Sequence, residues 1–436
     1  MAQSGSVPDG FTLAASGDMI GPYVTMKGIN DGGFEQVASL LRDADLAYAN
    51  QEGAIFDLST FPGYPSAETG GGYPVSPSAV AGDIRVMGIG VVSKANNHAI
   101  DWGMQGLVAT LKALGGAGVV QAGAGIGDAQ ARAPGYVRTP KGTAALVSTA
   151  STFPPASTAG PAVTRQGATS SPRPGISPLN VKHIRLVTKD QFEALRKIAG
   201  PVGYAAGARG DELRIGDQYF RASPAEGTTV EADPSDKAAV LASIREARKK
   251  ARFVLFSIHA HETAGDEDDI PPVDFEPMAL HRANEAPSPD DPRPAAFLPQ
   301  LFHEATDAGA DAVVRTGPHV LNGIEVHNGK PIFYGLGSLF LSFHGVRGYT
   351  APSGQRKNFP DEWFETVVPV CTYERGRVKE IWLHPMTIES STTNTDGFPH
   401  PADPKHAGRI LERVKKMSSK YGTTVSIEGG IGVICP

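Results

Sequence analysis

Five short segments of the sequence carry side chains that can bind a metal ion or transfer a proton. They combine carboxylates, amides and imidazoles: Gly17-Asp18, Asn50-Gln51-Glu52, Asn96-Asn97-His98, His259-Ala260-His261-Glu262 and Gly317-Pro318-His319. Oxygen ligands mixed with imidazoles suit zinc, manganese or iron better than calcium, which takes oxygen ligands. Each segment alone also fits a simple turn or a buried histidine. The prediction of a site therefore rests on all five together.

Each of these segments follows a run of residues typical of a β-strand. The apolar runs are residues 11–15, 46–49, 86–92, 253–258 and 312–314. Helical patterns lie between them, such as the apolar face formed by Met104, Leu107, Val108, Leu111 and Leu114. Strands that alternate with helices predict a layered α/β fold. In such folds a site gathers outside the carboxyl ends of the strands, where these polar segments lie.

The composition excludes several classes of protein. The 436 residues include 40 Lys and Arg against 46 Asp and Glu, which gives a net charge of −6. The densest basic cluster, at residues 245–252, fits the solvent-facing side of a helix, so we predict no nucleic-acid partner. Two cysteines far apart in the chain do not make a disulfide framework.

The sequence also gives an expectation for localisation. The N-terminus has no charged segment followed by an apolar stretch, so we expect no signal peptide in this chain. No run approaches the roughly 20 apolar residues that span a bilayer. We therefore expect a soluble, cytoplasmic protein without a membrane span. An exported form whose leader has been removed is the open alternative.

Six segments of the chain form a longer ordered pattern: ASGDMIGP, ANQEGAIF, KANNHAIDWGMQGL, AGAGIGDAQARAP, SIHAHE and GPHVLNGIEVHNGKPIFYGLGSLF. This pattern resembles the CapA (poly-γ-glutamate capsule synthesis) family, whose fold belongs to the metallophosphatase superfamily. The resemblance implies a four-layer α/β/β/α sandwich, in which two mixed β-sheets are flanked by helices. It also implies one domain over residues 1–436. Loop insertions are expected near 151–182, which is rich in Ser, Thr and Pro, and near 263–294, which is acidic and rich in Pro.

The resemblance also implies roles for individual residues. The expected metal ligands are Asp18, Glu52, Asn97, His259 and His319. The expected catalytic residues are His98 as general acid, Asp101 as the residue that orients it, and His261 and Glu262 as candidates for proton transfer. Arg173 and Thr316 are the candidate substrate-binding residues.

The sequence departs from the metallophosphatase pattern at both ends of the expected site. Ile20 stands where a histidine often follows the first aspartate, and Thr316 and Gly317 stand where many relatives carry imidazoles. Fewer imidazoles favour one firmly bound divalent ion (Zn, Mn or Fe), with a second ion as the alternative. A phosphomonoesterase that needs two metal ions is correspondingly less favoured.

Three functions fit these residues together with the family that they resemble. The first is a metal-dependent hydrolase or transferase that acts on a peptide-like, polyglutamate or phosphate-bearing substrate. The second is a metal-dependent peptide epimerase of the lasso-peptide type, in which a base and an acid act on opposite faces of Cα. The third is a non-catalytic accessory protein of capsule polymer biosynthesis. The sequence does not choose among them, and it gives neither the metal nor the oligomeric state.

Overall fold

The computed structural model describes residues 5–69, 72–199, 212–216, 218–263, 293–343, 348–350, 356–390 and 393–436. Over these residues the chain is a mixed α/β protein with several mixed sheets flanked by helices, which confirms the predicted fold class in its general form. Most of the predicted insertion at 263–294 lies outside the described residues. Among the described helices, none combines the length and apolarity needed to cross a membrane.

Eight α-helices are present in the described part of the chain. They are α1 Gly32–Arg42, α2 Val80–Val86, α3 Gly103–Gly116, α4 Asp128–Ala131, α5 Lys189–Ala199, α6 Pro234–Lys250, α7 Phe297–Ala308 and α8 Pro404–Ser419.

The β-strands alternate with these helices along most of the chain. In the first half they are β1 Thr12–Ile20, β2 Leu46–Gln51, β3 Ala54–Ile55, β4 Val75–Ser76, β5 Ile89–Ser93, β6 Val120–Ala122, β7 Ala124–Gly125, β8 Gly135–Thr139, β9 Gly142–Ala150, β10 Thr164–Arg165, β11 Ala168–Thr169, β12 Gly175–Ile176, β13 Val181–Val187, β14 Glu212–Ile215, β15 Gln218–Ala222 and β16 Gly227–Ala232. In the second half they are β17 Phe253–His259, β18 Ala312–Thr316, β19 Ile324–His327, β20 Lys330–Phe333, β21 Ser338–Leu341, β22 Gly348–Thr350, β23 Arg356–Asn358, β24 Glu365–Glu374, β25 Arg377–Ile388, β26 Pro399–Pro401, β27 Ser426–Glu428 and β28 Ile431–Ile434.

Two large sheets contain the strands that the sequence predicts. The ten-stranded sheet has the order β27-β28-β25-β24-β1-β2-β5-β6, with β21 beside β1 and β26 beside β25. The six-stranded sheet has the order β19-β20-β18-β17-β9-β8. The strands β1, β2, β5 and β6 pair in parallel, as do β9, β17, β18 and β20. The carboxyl ends of each parallel set therefore lie at one edge of its sheet.

The main hydrophobic core lies where side chains of the two large sheets pack together. Leu13 and Tyr48 come from the ten-stranded sheet, and Leu146, Leu255 and Val314 come from the six-stranded sheet. The hydroxyl groups of Tyr48 and Ser257 hydrogen-bond across this boundary. Strand β17 is buried at every position. Because it is covered on both faces, its sequence is a nearly continuous apolar run.

Helices cover the outer faces of both sheets. One core cluster packs α6 and α7 against β9, β17 and β18, and another packs α1 and α2 against β1, β2 and β5. In α1 the side chains at i, i+3, i+4 and i+7 are buried: Phe34, Val37, Ala38 and Leu41. Asp31 begins this helix because its Oδ1 accepts hydrogen bonds from the amides of Gly33 and Phe34, both at 3.0 Å.

Candidate metal centre

Residues from both large sheets come together where the parallel strands end. Asp18 lies near the end of β1, while Glu52 and His98 follow β2 and β5. His259 is the last residue of β17, and His319 comes three residues after the end of β18. These five side chains are buried. We call this group of residues the candidate metal centre.

Asp18 connects the two sheets at this centre. Its Oδ1 accepts a hydrogen bond from Asn50 Nδ2 at 2.7 Å, and its Oδ2 accepts one from the Gly317 amide at 2.9 Å. His319 Nδ1 lies 3.3 Å from Oδ2, and His259 Nδ1 lies 3.7 Å from Oδ1. Burial raises the pKa of Asp18, but the imidazoles of His319 and His259 outweigh burial and hold this pKa well below its usual range. Asp18 is thus anionic at neutral pH.

The strand that carries Asp18 extends further than the sequence predicts. The apolar run suggests residues 11–15, whereas β1 continues to Ile20 and places Asp18 inside the strand. The reason is the long-range pairing of β1 with β21, which begins at the pair Asp18 and Ser338. A side chain at Gly17 would place its Cβ only 1.7 Å from the Gly337 carbonyl oxygen, so this close approach requires glycine.

Glu52 is a buried carboxylate whose two oxygens have no hydrogen-bond partner in the part of the chain that the structure describes. Its Oε1 lies 3.5 Å from His259 Nε2 and 3.9 Å from His98 Nε2. Both distances are too long for a good hydrogen bond. Burial, and then the charge of the adjacent Asp18 carboxylate, raises the pKa of Glu52 well above its usual range. A cation between the two carboxylates would offset both effects.

Lys94 fixes the loop on which Glu52 lies. Its buried ammonium group donates hydrogen bonds to the carbonyl oxygens of Gln51, at 3.1 Å, and of Gly53. Asn96 Nδ2 also donates to the Gln51 carbonyl oxygen, at 2.9 Å. Burial lowers the pKa of Lys94 to about 7. The backbone on both sides of Glu52 is therefore held by the segment that follows β5.

His259 and His261 form a pair of buried imidazoles. Their Nε2 atoms lie 3.0 Å apart. Burial lowers the pKa of His259 to about 3, and it also lowers the pKa of His261 well below the usual range. His259 Nδ1 lies 3.1 Å from Thr316 Oγ1, which can accept its proton and leave Nε2 free to bind a metal. Both rings are neutral at neutral pH, as metal ligands must be.

Buried polar contacts hold the turn that carries these two histidines. Arg315 Nε donates to the Ala260 carbonyl oxygen at 2.9 Å, and Arg315 Nη2 donates to the Glu262 carbonyl oxygen at 2.8 Å. The Glu262 carboxylate accepts hydrogen bonds from Ser151 Oγ at 2.7 Å and from Thr152 Oγ1 at 3.0 Å. Through these hydrogen bonds, Glu262 connects the turn after β17 to the residues that follow β9.

The segment after β18 depends on unusual backbone conformations. Gly317 has φ +118°, and a Cβ at this position would lie 2.8 Å from His261 Cδ2. His319 has φ +56°, which is uncommon for a residue with a side chain. Its Nδ1 lies 3.2 Å from Ser338 Oγ, and its ring contacts Trp363 edge-on with centroids 5.2 Å apart. Tertiary contacts thus hold the His319 ring beside Asp18.

His98 and Asp101 form a hydrogen-bonded pair in the segment between β5 and α3. His98 Nδ1 lies 2.5 Å from Asp101 Oδ2, and both residues are buried. Because an ionised carboxylate only accepts, His98 donates through Nδ1 and directs Nε2 towards Glu52. This arrangement suits a group that accepts or delivers a proton at the centre.

The donor set fits a divalent metal ion. Two groups of ligand atoms each lie within 4.8 Å of one another: Glu52, His259 and His261 in the first, and Asp18, Glu52 and His319 in the second. Glu52 belongs to both groups. Carboxylates together with neutral imidazoles match zinc, manganese or iron. These residues could hold metal ions, as predicted in general terms.

Other predicted site residues lie in different environments. Asn97 is buried beside His98, and its place among the ligands stays a prediction. Thr316 contacts His259, and Arg173 is exposed and donates through Nε to the Thr158 carbonyl oxygen at 3.0 Å. Their substrate-binding roles stay predictions.

Several residues that shape the centre were not predicted from the sequence. They are Asn50, Lys94, Ser151, Thr152 and Arg315. Asn50 could have been identified, because it directly follows the predicted strand 46–49 and lies two residues before Glu52. Nothing in the local sequence indicated the role of Arg315, because the carbonyl groups that it contacts belong to a distant segment of the chain.

Comparison with known proteins places the chain in a family. A family model described as "Bacterial capsule synthesis protein PGA_cap" matches residues 12–287 and 280–342. Two proteins of Sinorhizobium fredii (strain NBRC 101917 / NGR234), "Uncharacterized protein y4sH" and "Uncharacterized protein y4uA", are each 32% identical to this chain. Each alignment is 461 positions long, gaps included, and covers 98% of this chain and 94% of the relative. "PGA biosynthesis protein CapA" of Bacillus subtilis (strain 168) is 27% identical over 190 residues, 43% of each chain. The chain therefore belongs to the PGA_cap family of bacterial capsule synthesis proteins, the CapA family, as its motifs predict.

Proposed function

We propose that this protein is a metal-dependent CapA-type enzyme, a hydrolase or transferase that acts on an amide or phosphate group. The observation that carries the proposal is the Glu52 carboxylate, which is buried beside Asp18 and shared by two groups of potential ligands. Two adjacent buried carboxylates are costly unless a cation or a proton lies between them. A metal ion is the simpler explanation, because His259, His261 and His319 supply further ligands there.

The residues around Glu52 suit two nearby cation positions that share this carboxylate. His259 and His261 would complete one position, and Asp18 and His319 the other. Bound divalent ions would supply Lewis acidity towards a carbonyl or phosphoryl oxygen and would activate water. The sequence pattern favours one ion, but His261 adds an imidazole that offsets the ligands missing at Ile20 and Gly317. We therefore propose a firmly bound ion and a second, weaker one.

His98 is the residue that we propose for proton transfer. Its Nδ1 is held by Asp101 at 2.5 Å, and its Nε2 lies 3.9 Å from Glu52 Oε1. A proton on Nε2 would thus be directed to a leaving group bound at the cations. Asp101 would fix the imidazole tautomer and orientation without touching the substrate.

The substrate class is proposed from the family and from the walls of the centre. The family description and the name "PGA biosynthesis protein CapA" both point to polyglutamate chemistry. We propose a peptide-like or polyglutamate substrate. Residues 151–182 are placed to influence its choice, because Ser151 and Thr152 contact Glu262 at the centre.

We also propose the finer architecture that the motifs imply. It is a four-layer α/β/β/α sandwich of the metallophosphatase type, formed as a single domain over residues 1–436. The core between the large sheets and the helices on their outer faces support this arrangement.

A peptide epimerase is the second candidate. The observation that favours it is that His98 and His261 both approach Glu52, since His98 Nε2 lies 3.9 Å from Glu52 Oε1 and His261 shares a ligand group with Glu52. An acid and a base on two sides of a bound Cα would invert its configuration. The contact between His261 and His259 favours a ligand role for His261 and thus ranks the epimerase below the hydrolase.

The first test is the metal content of the purified protein, measured by elemental mass spectrometry. We expect at least one equivalent of zinc, manganese or iron in the wild type, and about one equivalent less in the Asp18→Ala/His319→Ala double variant. The control is His406→Ala, because His406 is an exposed residue of α8 that pairs with Asp403. A wild-type protein that takes up no metal from excess Zn²⁺, Mn²⁺ or Fe²⁺ would contradict the proposal and favour the non-catalytic accessory role.

The second test follows the mass of a polyglutamate or peptide substrate in deuterated water. Hydrolysis adds the mass of water to the products. Epimerisation incorporates a single deuteron at Cα and leaves the chain length unchanged. A hydrolysis product that depends on the metal and on His98 supports the first candidate, and deuterium without cleavage supports the second.

A further inference from the structure

A second cluster of potential metal ligands lies outside the candidate metal centre. It consists of His303, Glu325 and His327, and one ligand atom from each lies within 4.8 Å of the others. We call it the peripheral cluster. None of its members takes part in the chemistry proposed above.

Two secondary-structure elements build the peripheral cluster. Glu325 and His327 lie on the edge strand β19, two residues apart, so their side chains project from the same face. Ile324 packs into the core between the large sheets, which places Glu325 and His327 on the opposite face, towards α7. His303 lies in the middle of α7.

The strand register separates this cluster from the candidate metal centre. Glu325 pairs with Ile332, and Ile332 pairs with Val313, three residues before Thr316 at the end of β18. This offset is on the order of 10 Å along the strands, and the two strand spacings from β18 to β19 add about 10 Å. One ion cannot be shared by the two clusters at such a separation.

The contacts within the peripheral cluster direct one carboxylate oxygen at both imidazoles. His303 Nε2 lies 2.8 Å from Glu325 Oε1, and His327 Nδ1 lies 3.9 Å from the same oxygen. The other oxygen, Oε2, accepts a hydrogen bond from the Tyr334 hydroxyl at 2.7 Å. Tyr334 in turn stacks on Tyr421 with ring centroids 4.3 Å apart. The carboxylate is therefore oriented by a residue that does not compete for Oε1.

The two imidazoles lie face to face. Their ring centroids are 3.9 Å apart, and the ring planes differ by 9°. Without a cation, His303 donates a hydrogen bond through Nε2 to Glu325 Oε1, because a carboxylate oxygen accepts. A cation that replaces this proton would lie beside the imidazole nitrogens and Oε1. The side chains of His303, Glu325 and His327 are 39%, 14% and 25% exposed, so a solvated ion can reach them.

We propose that the peripheral cluster is a binding site for a borderline divalent cation such as Zn²⁺. The ligands would be His303 Nε2, Glu325 Oε1 and His327 Nδ1, and water would complete the coordination. Two imidazoles and a carboxylate are a common zinc ligand set. Bonds of about 2.0–2.1 Å require ligand atoms roughly 3.3 Å apart, so the two stacked rings would have to tilt and shift for their nitrogens to face one ion. A bound ion would cross-link α7 to the edge strand β19.

The test measures zinc retained by the full-length protein after dialysis against micromolar free Zn²⁺. We would use the Asp18→Ala/His319→Ala background, so that less zinc bound at the candidate metal centre contributes to the total, and would count the zinc that a peripheral-cluster variant removes. We expect close to one equivalent of zinc at the peripheral cluster. His303→Ala and His327→Ala, each added to this background, should remove it, whereas His406→Ala should not.

Two further variants separate a metal site from a structural ion pair. His303→Gln keeps a donor for Glu325, so it should preserve the fold while it lowers zinc affinity at least tenfold. Tyr334→Phe keeps the ring, and loss of its hydrogen bond to Glu325 should lower affinity by about 10–100-fold. If zinc content were the same in all variants, or if zinc bound only at millimolar concentration, the cluster would be an ion pair alone. This outcome would leave the function proposed for the candidate metal centre unaffected.

Discussion

The Nε2 atoms of His259 and His261 lie 3.0 Å apart, although the two residues are separated by only Ala260. Residues i and i+2 of a continuing strand would point the same way, but β17 ends at His259 and the chain turns. This turn brings the His261 ring into contact with the His259 ring. Two nitrogens bound to one tetrahedral ion at about 2.0–2.1 Å lie only slightly further apart, so this contact resembles a ligand pair.

This contact leads to a prediction for His261. His261→Ala should lower zinc affinity at the candidate metal centre at least tenfold, because it removes an imidazole near His259 and Glu52. Zinc titration monitored by calorimetry would measure the change. The matched control is His384→Ala, because His384 lies on β25 outside the centre. Full affinity in His261→Ala would assign this residue to proton transfer, as the sequence alone suggests.

Glu52→Gln should have opposite effects on metal binding and on stability. The amide should abolish binding of one ion, because it removes an anionic ligand shared by two groups. In the presence of a chelator, the same variant should be more stable than the wild type by about 1–2 kcal/mol, because the neutral amide needs neither a buried charge nor a bound proton beside Asp18 and can donate a hydrogen bond to it. Denaturant unfolding with and without metal tests both effects. A metal-free variant less stable than the metal-free wild type would contradict this account of the Glu52 environment.

Asp101→Asn should reduce turnover without loss of metal. Asparagine can hold the His98 ring, but it no longer requires Nδ1 to carry the proton, so the tautomer with Nε2 ready for transfer is lost. We expect kcat to fall by about 10²–10⁴-fold with unchanged metal content. The pH–rate profile of the variant is the second readout, since a merely structural role would leave its shape unaltered.

The metal-free protein should lose stability as the pH falls below neutrality. Burial lowers the pKa of His259 from 6.5 to about 3, so the unfolded chain binds more protons than the folded chain between these values. Stability therefore rises with pH across this window and is lost as the pH falls through it. His259 alone contributes about 2 kcal/mol of this loss between pH 6.5 and pH 5. His259→Gln should weaken the pH dependence measured by urea unfolding with a chelator, and an unchanged dependence would rule out His259 as its source.

Much of the framework follows from local sequence. The alternating apolar runs specify strands and helices because each must bury one face or both. The order of the polar segments at strand ends identifies the family. These segments predict five site residues that the structure brings together in one buried cluster: Asp18, Glu52, His98, His259 and His319.

The sequence did not reveal which of these groups contact each other. Glu52 is common to two ligand groups because strands from two different sheets end beside it, and this depends on pairing between residues far apart in the chain. The same long-range packing carries β1 past Gly17 and surrounds the His259 turn with the buried Arg315 side chain. Local propensity contains no information on such contacts, so the sequence determined the residue types at the site and the tertiary structure decided their partners.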